Sequence, residues 1–191
     1  MEGDNYLMIH LTETLTFSAV EGSHEQIILQ WLDKEHVRPH FYGQGLQNTI
    51  NGLRKFVKGE ECLWDCWIAF CNGEPFGFLM TSTVEESEAE NPKSNYAKWI
   101  EPGRRMITLD LLIGEEKYLG KGLAARMIRE FLLDKFFNAS IVFIDPEASN
   151  TKAIHVYEKA GFEKLEQFTA STPPVPHWMM RLQIEELKGQ E

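Results

Sequence analysis

No apolar run in the 191-residue chain approaches the roughly 18–20 residues that a membrane-spanning helix needs, so no membrane association is expected. The first residues, MEGDNYLMIHLTETL, lack the basic start and apolar centre of a secretory leader, and the expected compartment is the cytoplasm. Cysteine is scarce: Cys62, Cys66 and Cys71 are odd in number and crowded together, a poor basis for disulfides. No second CxxC or HxxxH stands at zinc-binding distance from them, so no metal is expected and the thiols read as buried or half-buried. Basic residues are the minority, 19 Lys+Arg against 29 Asp+Glu, a formal charge of −10. A nucleic-acid partner would demand the opposite balance. A cationic small molecule fits it, although solubility alone would account for it too.

Repeats and low-complexity linkers are also missing. The composition, 43% hydrophobic and 25% charged, is that of a globular chain long enough for a sizeable core. A single domain over residues 1–191 is expected, with its core from about 15 to about 184.

Residues 15–20 (LTFSAV) read as a first strand and 23–37 as a helix with Ile27, Ile28 and Leu32 on one face and Ser23 as its N-cap. Residues 47–59 form a second, shorter helix. Two β-prone runs then flank Asn72-Gly73, a strong hairpin signal. The acidic stretch 85–102 is expected to be a binding loop or disordered. Strands follow at 105–114 and 140–146, a helix at 150–162, and two closing strands. The order is strand, two helices, three strands, helix, strand, helix, two strands: mixed α/β around a central sheet.

Between the strand at 105–114 and the next one lies YLGKGLAARMIREFLL, glycines immediately followed by a helix with a continuous stripe of Leu123, Met127, Ile128, Phe131 and Leu132. A glycine turn before a helix presents unpaired N–H groups and the positive end of the helix dipole, an arrangement suited to phosphate. Gly120 and Gly122 would let an anion approach the backbone, and Lys121 adds charge or simply faces solvent. Neither GxxxxGK[ST] nor GxGxxG is present, so a nucleotide-binding loop of those types is excluded. An unliganded turn remains an equal alternative at this level.

The second half of the chain carries a resemblance. LDLLIGEEKYLGKGLAARMIREFL followed by IDPEASNTKAIHVYEKAGF is similar to the GNAT superfamily of acetyl-coenzyme A-dependent N-acetyltransferases. The family's [QR]-x-x-G-x-[GA] motif is matched at Gly120 and Gly122, with Leu119 in place of Gln or Arg. Its downstream element is matched at Asn150, Ala153, Tyr157 and Gly161-Phe162. LGKGL, DPxxxNxxAIxxYEKAGF and the upstream NGEPFGF are most similar to bacterial aminoglycoside 6'-N-acetyltransferases, a branch that also carries Leu at the Leu119 position.

The resemblance implies a central twisted mixed sheet, splayed between its fourth and fifth strands, with helices on both faces. It implies acetyl-coenzyme A as cosubstrate, with its pyrophosphate on the amides of Leu119, Gly120, Lys121, Gly122, Leu123 and Ala124. The pantetheine arm would pair near Leu112 and Ile113, and Asn150 would contact the cofactor. Tyr157 is then a candidate acid for the departing thiolate, or an aromatic of the helix's inner face. Asp110, a carboxylate inside MITLDLLIG, is a candidate base and ammonium ligand, or a structural Asp bonded to backbone. Alternation puts it on one face with Thr108 and Leu112.

For a polycationic acceptor, Phe41, Tyr42, Trp67, Trp99 and Glu101 join Asp110 as candidate substrate-binding residues, in company with the other acids of 85–102. His155 and His177 are not assigned as bases. The expected activity is transfer of acetyl to the 6'-amine of an aminoglycoside, by direct attack in a ternary complex, by a monomer or homodimer. Two alternatives stay open: acetylation of a siderophore-precursor hydroxylamine or a protein amine, and a silent acyl-coenzyme A-binding module.

Overall fold

The computed structural model describes residues 13–171 and 173–189; most of the N-terminal stretch read above for a leader lies outside the described residues. β1 (Leu15–Ala19) is followed by α1 (Glu25–Leu32) and α2 (Gly43–Val57). Then come β2 (Asp65–Cys71), β3 (Glu74–Val84) and β4 (Met106–Ile113), α3 (Leu123–Lys135), β5 (Ile141–Ile144) and α4 (Thr151–Ala160). β6 (Glu163–Thr169), β7 (Pro176–Gln183) and a short α5 (Ile184–Lys188) close the chain. The strands form one seven-stranded sheet in the order β1-β2-β3-β4-β5-β7-β6.

Local chemistry explains the elements. The β2–β3 hairpin turns on Asn72 and Gly73, both at positive φ (50° and 82°), as a tight two-residue turn requires. On α3, Leu123, Met127, Ile128, Phe131 and Leu132 are all buried against one face of the sheet, with Leu79, Leu109, Val142 and Met180. The other face is covered in two parts. α1 and α2 pack Ile28, Trp31 and Leu53 over Ile68, Phe78, Met80 and Leu112. Residues 85–102, anticipated as an irregular loop, form two 3₁₀ turns whose Tyr96, Trp99 and Ile100 pack on Met106, Ile141 and Phe143. Burying three large apolar side chains is what orders that acidic stretch.

The β4–β5 junction positions the site. β4 runs antiparallel to β3 along its whole length, from Met106↔Val84 to Ile113↔Gly77. It runs parallel to β5, but pairs only at Met106↔Ile141, Ile107↔Val142 and Thr108↔Phe143. Gly114 N–H donates to Phe76 O and Ile141 N–H to Arg105 O. Even-numbered backbone groups of β4 therefore face β3 and odd-numbered ones face β5. Beyond Thr108 the strands diverge, and the odd-numbered groups of β4 border a gap.

Some boundaries differ from expectation. α1 is shorter than residues 23–37, because the chain turns after Leu32. Ser23 lies in a 3₁₀ turn and is not the cap; there Glu21 N–H donates to His24 Nδ1. α2 starts earlier, at Gly43, and α5 was not anticipated. The three cysteines are free, and burial pushes the Cys66 thiol up to about 12.

Phe131 is fully buried and meets Phe17, Trp67 and Phe136 at ring-centroid distances of 5.4, 5.7 and 5.5 Å. Phe131→Ala is expected to cost about 3–5 kcal/mol of stability, read as a lower urea midpoint with an unchanged slope.

Candidate active site

The β4–β5 register places two carboxylates. Continued two residues beyond Thr108↔Phe143, it would set Asp110 opposite Asp145, both on the face that carries Met106 and Ile141. Because the strands separate first, the two acids flank the gap instead of pairing across a ladder. Both are half-buried, largely surrounded by protein yet open to solvent at one side. Burial raises the Asp110 carboxyl to about 6, against a smaller downward pull from His177. Asp145 is raised to about 8, by burial first and then by the charge of Asp110. Two acids so placed resist joint ionisation and would welcome a cation between them.

Three further groups attend the pair. His177 on β7 lies with Nδ1 2.6 Å from the Asp145 carbonyl oxygen, so Nδ1 carries the proton and donates; the same atom is 4.0 Å from Asp145 Oδ2. Tyr96 packs on Phe143 at 5.5 Å, and burial, then Asp145 and Asp110, raise its pKa well above the ordinary value. Tyr157 lies on α4, 8% exposed, within the core of the opposite face. Its ionisation is opposed by burial and then by Asp110 and Asp145, so the gap lets it sense both acids from the far side.

The residues anticipated around an acceptor divide. Phe41 packs on the α1–α2 core, and exposed Tyr42 donates to Glu147, on the loop after β5. Trp99 is partly buried in the cover over Met106 and Phe143. Glu101 is held by Arg181 at 3.4 Å and lies 3.9 Å from Arg104. Trp67 does not join the group: it pairs with Leu79 on the α3 face, against Phe131 and Phe136, and its Nε1 donates to Thr81 Oγ1 at 3.1 Å. A groove of about 590 Å³ between β1 and α3, lined by Leu15, Phe17, Glu130 and Leu133, gathers none of the motif residues.

The glycine turn stands next to the end of β4. Gly120 and Gly122 adopt φ of 72° and 76°, with nothing within 4 Å of where a Cβ would be. Gly122 is the N-cap of α3 and has no side chain to cap it, so among the described residues the first N–H groups from Leu123 and Ala124 onward lack a side-chain acceptor. Leu119 and Lys121 are exposed there, while Leu112 and Ile113 are buried at the end of β4. Asn150 turns out to be the N-cap of α4, its Oδ1 accepting from Ala153 N–H at 3.2 Å, which leaves its amide NH₂ to act elsewhere. Among the described residues no group of three or more His, Cys, Asp or Glu is placed to hold a metal ion. No helix among them is long and apolar enough to cross a membrane.

A family model described as an acetyltransferase (GNAT) domain matches residues 22–170. The chain belongs to the GNAT acetyltransferase family. This acetyltransferase is 31% identical over 157 residues to the aminoglycoside N(6')-acetyltransferase type 1 of Klebsiella pneumoniae, covering 78% of this chain and 73% of the relative. It is 38% identical to the aminoglycoside N(6')acetyltransferase structure from Legionella pneumophila, with a TM-score of 0.82 over 95% of this chain and 99% of that one. The fold also matches that of AAC(6')-Ib in complex with coenzyme A and kanamycin, at 24% identity, TM-score 0.69, and coverage of 93% and 99%. Together the family match and the relatives make the chain an N-acetyltransferase.

Sequence reasoning overlooked Asp145, Glu147 and the placement of His177. Asp145 carried a usable signal, since it ends the apolar run IVFI just as Asp110 interrupts MITLDLLI. Nothing local marked the others, whose neighbours come from distant segments.

The raised acid has a consequence for stability. Near pH 3.5 Asp110 is protonated in the acetyltransferase and mostly protonated in its unfolded chain, whose carboxyl titrates near 3.8, so it costs little there. Between about pH 4 and 6 the unfolded chain loses the proton first and stability falls; above that the whole penalty stands. Asp110→Asn is therefore expected to be more stable than the parent by about 1–2 kcal/mol at pH 8, the difference vanishing near pH 3.5, in urea titrations at the two pH values.

Proposed function

We propose that the enzyme transfers acetyl from acetyl-coenzyme A to the 6'-amine of a cationic aminoglycoside, by direct attack in a ternary complex. The observation that carries this reading is the pair of raised carboxylates, Asp110 and Asp145, held apart at the mouth of the β4–β5 gap. The relatives named for aminoglycoside 6'-acetylation support it.

Bound acetyl-coenzyme A supplies the electrophile, a thioester carbonyl carbon. Main-chain N–H groups from Leu119, Gly120, Lys121, Gly122, Leu123 and Ala124 would hold its pyrophosphate, in a turn with room for it. The gap-facing groups of β4, the carbonyls of Leu109 and Leu111 and the N–H of Ile113, would take the pantetheine arm as an added strand, whereas the Leu112 backbone, expected to share in this, is turned to Phe78 on β3. Asn150 would contact the cofactor through its amide NH₂. Asp110 and Asp145 bind the ammonium, whose positive charge between them favours the ionised form of both. Asp110 accepts the proton the ammonium must lose before its lone pair can form the C–N bond; a carboxyl near 6 is well matched to that task at neutral pH. Tyr157 donates its phenol proton to the sulfur as the C–S bond breaks. A proton on Asp110 removes one of the charges that oppose ionisation of Tyr157, so the first transfer favours the second. Phe41, Tyr42 and Trp99 supply walls for the sugar rings. Glu101 contributes negative potential, tempered by its arginine partners.

Thiol release from acetyl-coenzyme A should be followed with kanamycin, a hydroxylamine siderophore precursor and a peptide amine. Turnover with kanamycin is expected; turnover with the peptide alone would sink the aminoglycoside reading, and tight cofactor binding without turnover would favour a silent module. Asp110→Asn is expected to lower kcat by about 10²–10⁴ while coenzyme A affinity changes less than about threefold. Tyr157→Phe is expected to lower kcat about 10–100-fold, and an unchanged rate would remove Tyr157 from the mechanism.

A further inference from the structure

The end of β4 is gripped by the end of α1. Trp31 is fully buried, and its ring lies so close to Gly114 that an added Cβ would sit 2.0 Å from it. Trp31 Nε1 donates to Glu115 Oε1 at 2.7 Å, and Lys34 Nζ donates to Glu115 Oε2 at 3.1 Å. His36 Nε2 donates to the Ile113 carbonyl oxygen at 2.9 Å, with Nδ1 3.4 Å from Glu116 Oε1. Three side chains from one short segment thus hold three consecutive residues, 113–115, where the chain leaves the sheet.

The His36 bond is the informative one. Ile113 is odd-numbered, so its backbone groups face the gap. A carbonyl there would ordinarily be open to an added strand, yet His36 occupies it. The same peptide is fixed from its other side by the 2.7 Å bond from Gly114 N–H to Phe76 O. The gap-facing acceptors that remain lie earlier on β4, at Leu109 and Leu111, while the Ile113 N–H stays on the gap side.

We infer that His36 is a positioning residue for the cofactor: it closes the track along β4 at Ile113 and fixes the spacing from that open edge to the glycine turn. The inference rests on the proposed binding of acetyl-coenzyme A along β4. Its physical reason is that the edge of β4 and the amides after Leu119 must engage one ligand together. A loose joint at 113–115 would make each binding event pay again for ordering the other. The same segment, residues 31–42, goes on to carry Phe41 and Tyr42, so α1 also sets the aromatic pair in register with the cofactor strand.

The test is calorimetric titration with coenzyme A, which has no acetyl group to transfer, beside steady-state kinetics with acetyl-coenzyme A and kanamycin. His36→Ala is expected to weaken coenzyme A about 10-fold, to raise KM for acetyl-coenzyme A alike, and to leave kcat at saturation within about threefold. His36→Gln, whose amide nitrogen can still donate to the Ile113 carbonyl, is expected to recover most of that affinity. Should His36→Ala fail to fold, Glu115→Ala, which releases both Trp31 and Lys34, is expected to give the same split between affinity and kcat. Unchanged coenzyme A affinity in the folded variant tested would overturn the assignment. So would a glutamine variant as weak as the alanine one, or a loss confined to kcat. No coenzyme A binding by the parent protein would instead overturn the functional reading beneath it.

Discussion

A parallel strand pair that stops pairing after three residues leaves backbone groups facing a gap, and such groups must find partners inside a folded protein. The arrangement around that interruption in β4 and β5 follows from this need. His36 satisfies the Ile113 carbonyl from one side, and the groups nearer Thr108 remain available to a strand-like ligand. The same divergence separates Asp110 from Asp145. It also lets Tyr157, buried on the opposite face, feel the charge of both acids. In the proposed reaction, amine activation and thiolate protonation would be served from opposite sides of one opening.

Electrostatics and packing pull against each other at this point. Raised carboxyls mean that ionised acids are held where the fold would rather have them neutral. The surrounding core has to outweigh that strain, and it is extensive: α3 buries five side chains on one face, while α1, α2 and residues 85–102 cover the other. A cation placed between the two acids would favour the joint ionisation that the empty site resists. The acidic balance of the whole chain would likewise favour the approach of a cationic ligand.

Legibility in the sequence followed the range of the forces involved. The Asn72-Gly73 turn, the stripe on α3 and the glycines before it are set by neighbours in the chain, and each was readable. Asp110 was readable because a carboxylate among MITLDLLI is locally costly. Residues 85–102 were readable as a loop but not as an ordered one, because that order depends on Tyr96, Trp99 and Ile100 reaching Met106 and Phe143. Trp67 was misplaced because its face depends on its register with Leu79, which no local signal reveals. Glu101 reads from its local sequence as available to a ligand, but Arg181, 80 residues away, holds it.

The amino-acid sequence by itself determined the order of elements, the glycine turn suited to an anion, the motif that identifies the family, and the presence of the carboxylate and the tyrosine proposed for proton transfer. These rest on short-range stereochemistry and periodicity, which adjacent residues encode. Only the tertiary structure decided that Asp145 stands across from Asp110, that His177 attends them, and that α1 grips the end of β4. Each depends on register or on contacts between segments tens of residues apart. There, the free energy is settled by which surfaces pack together, and no local stretch carries that information.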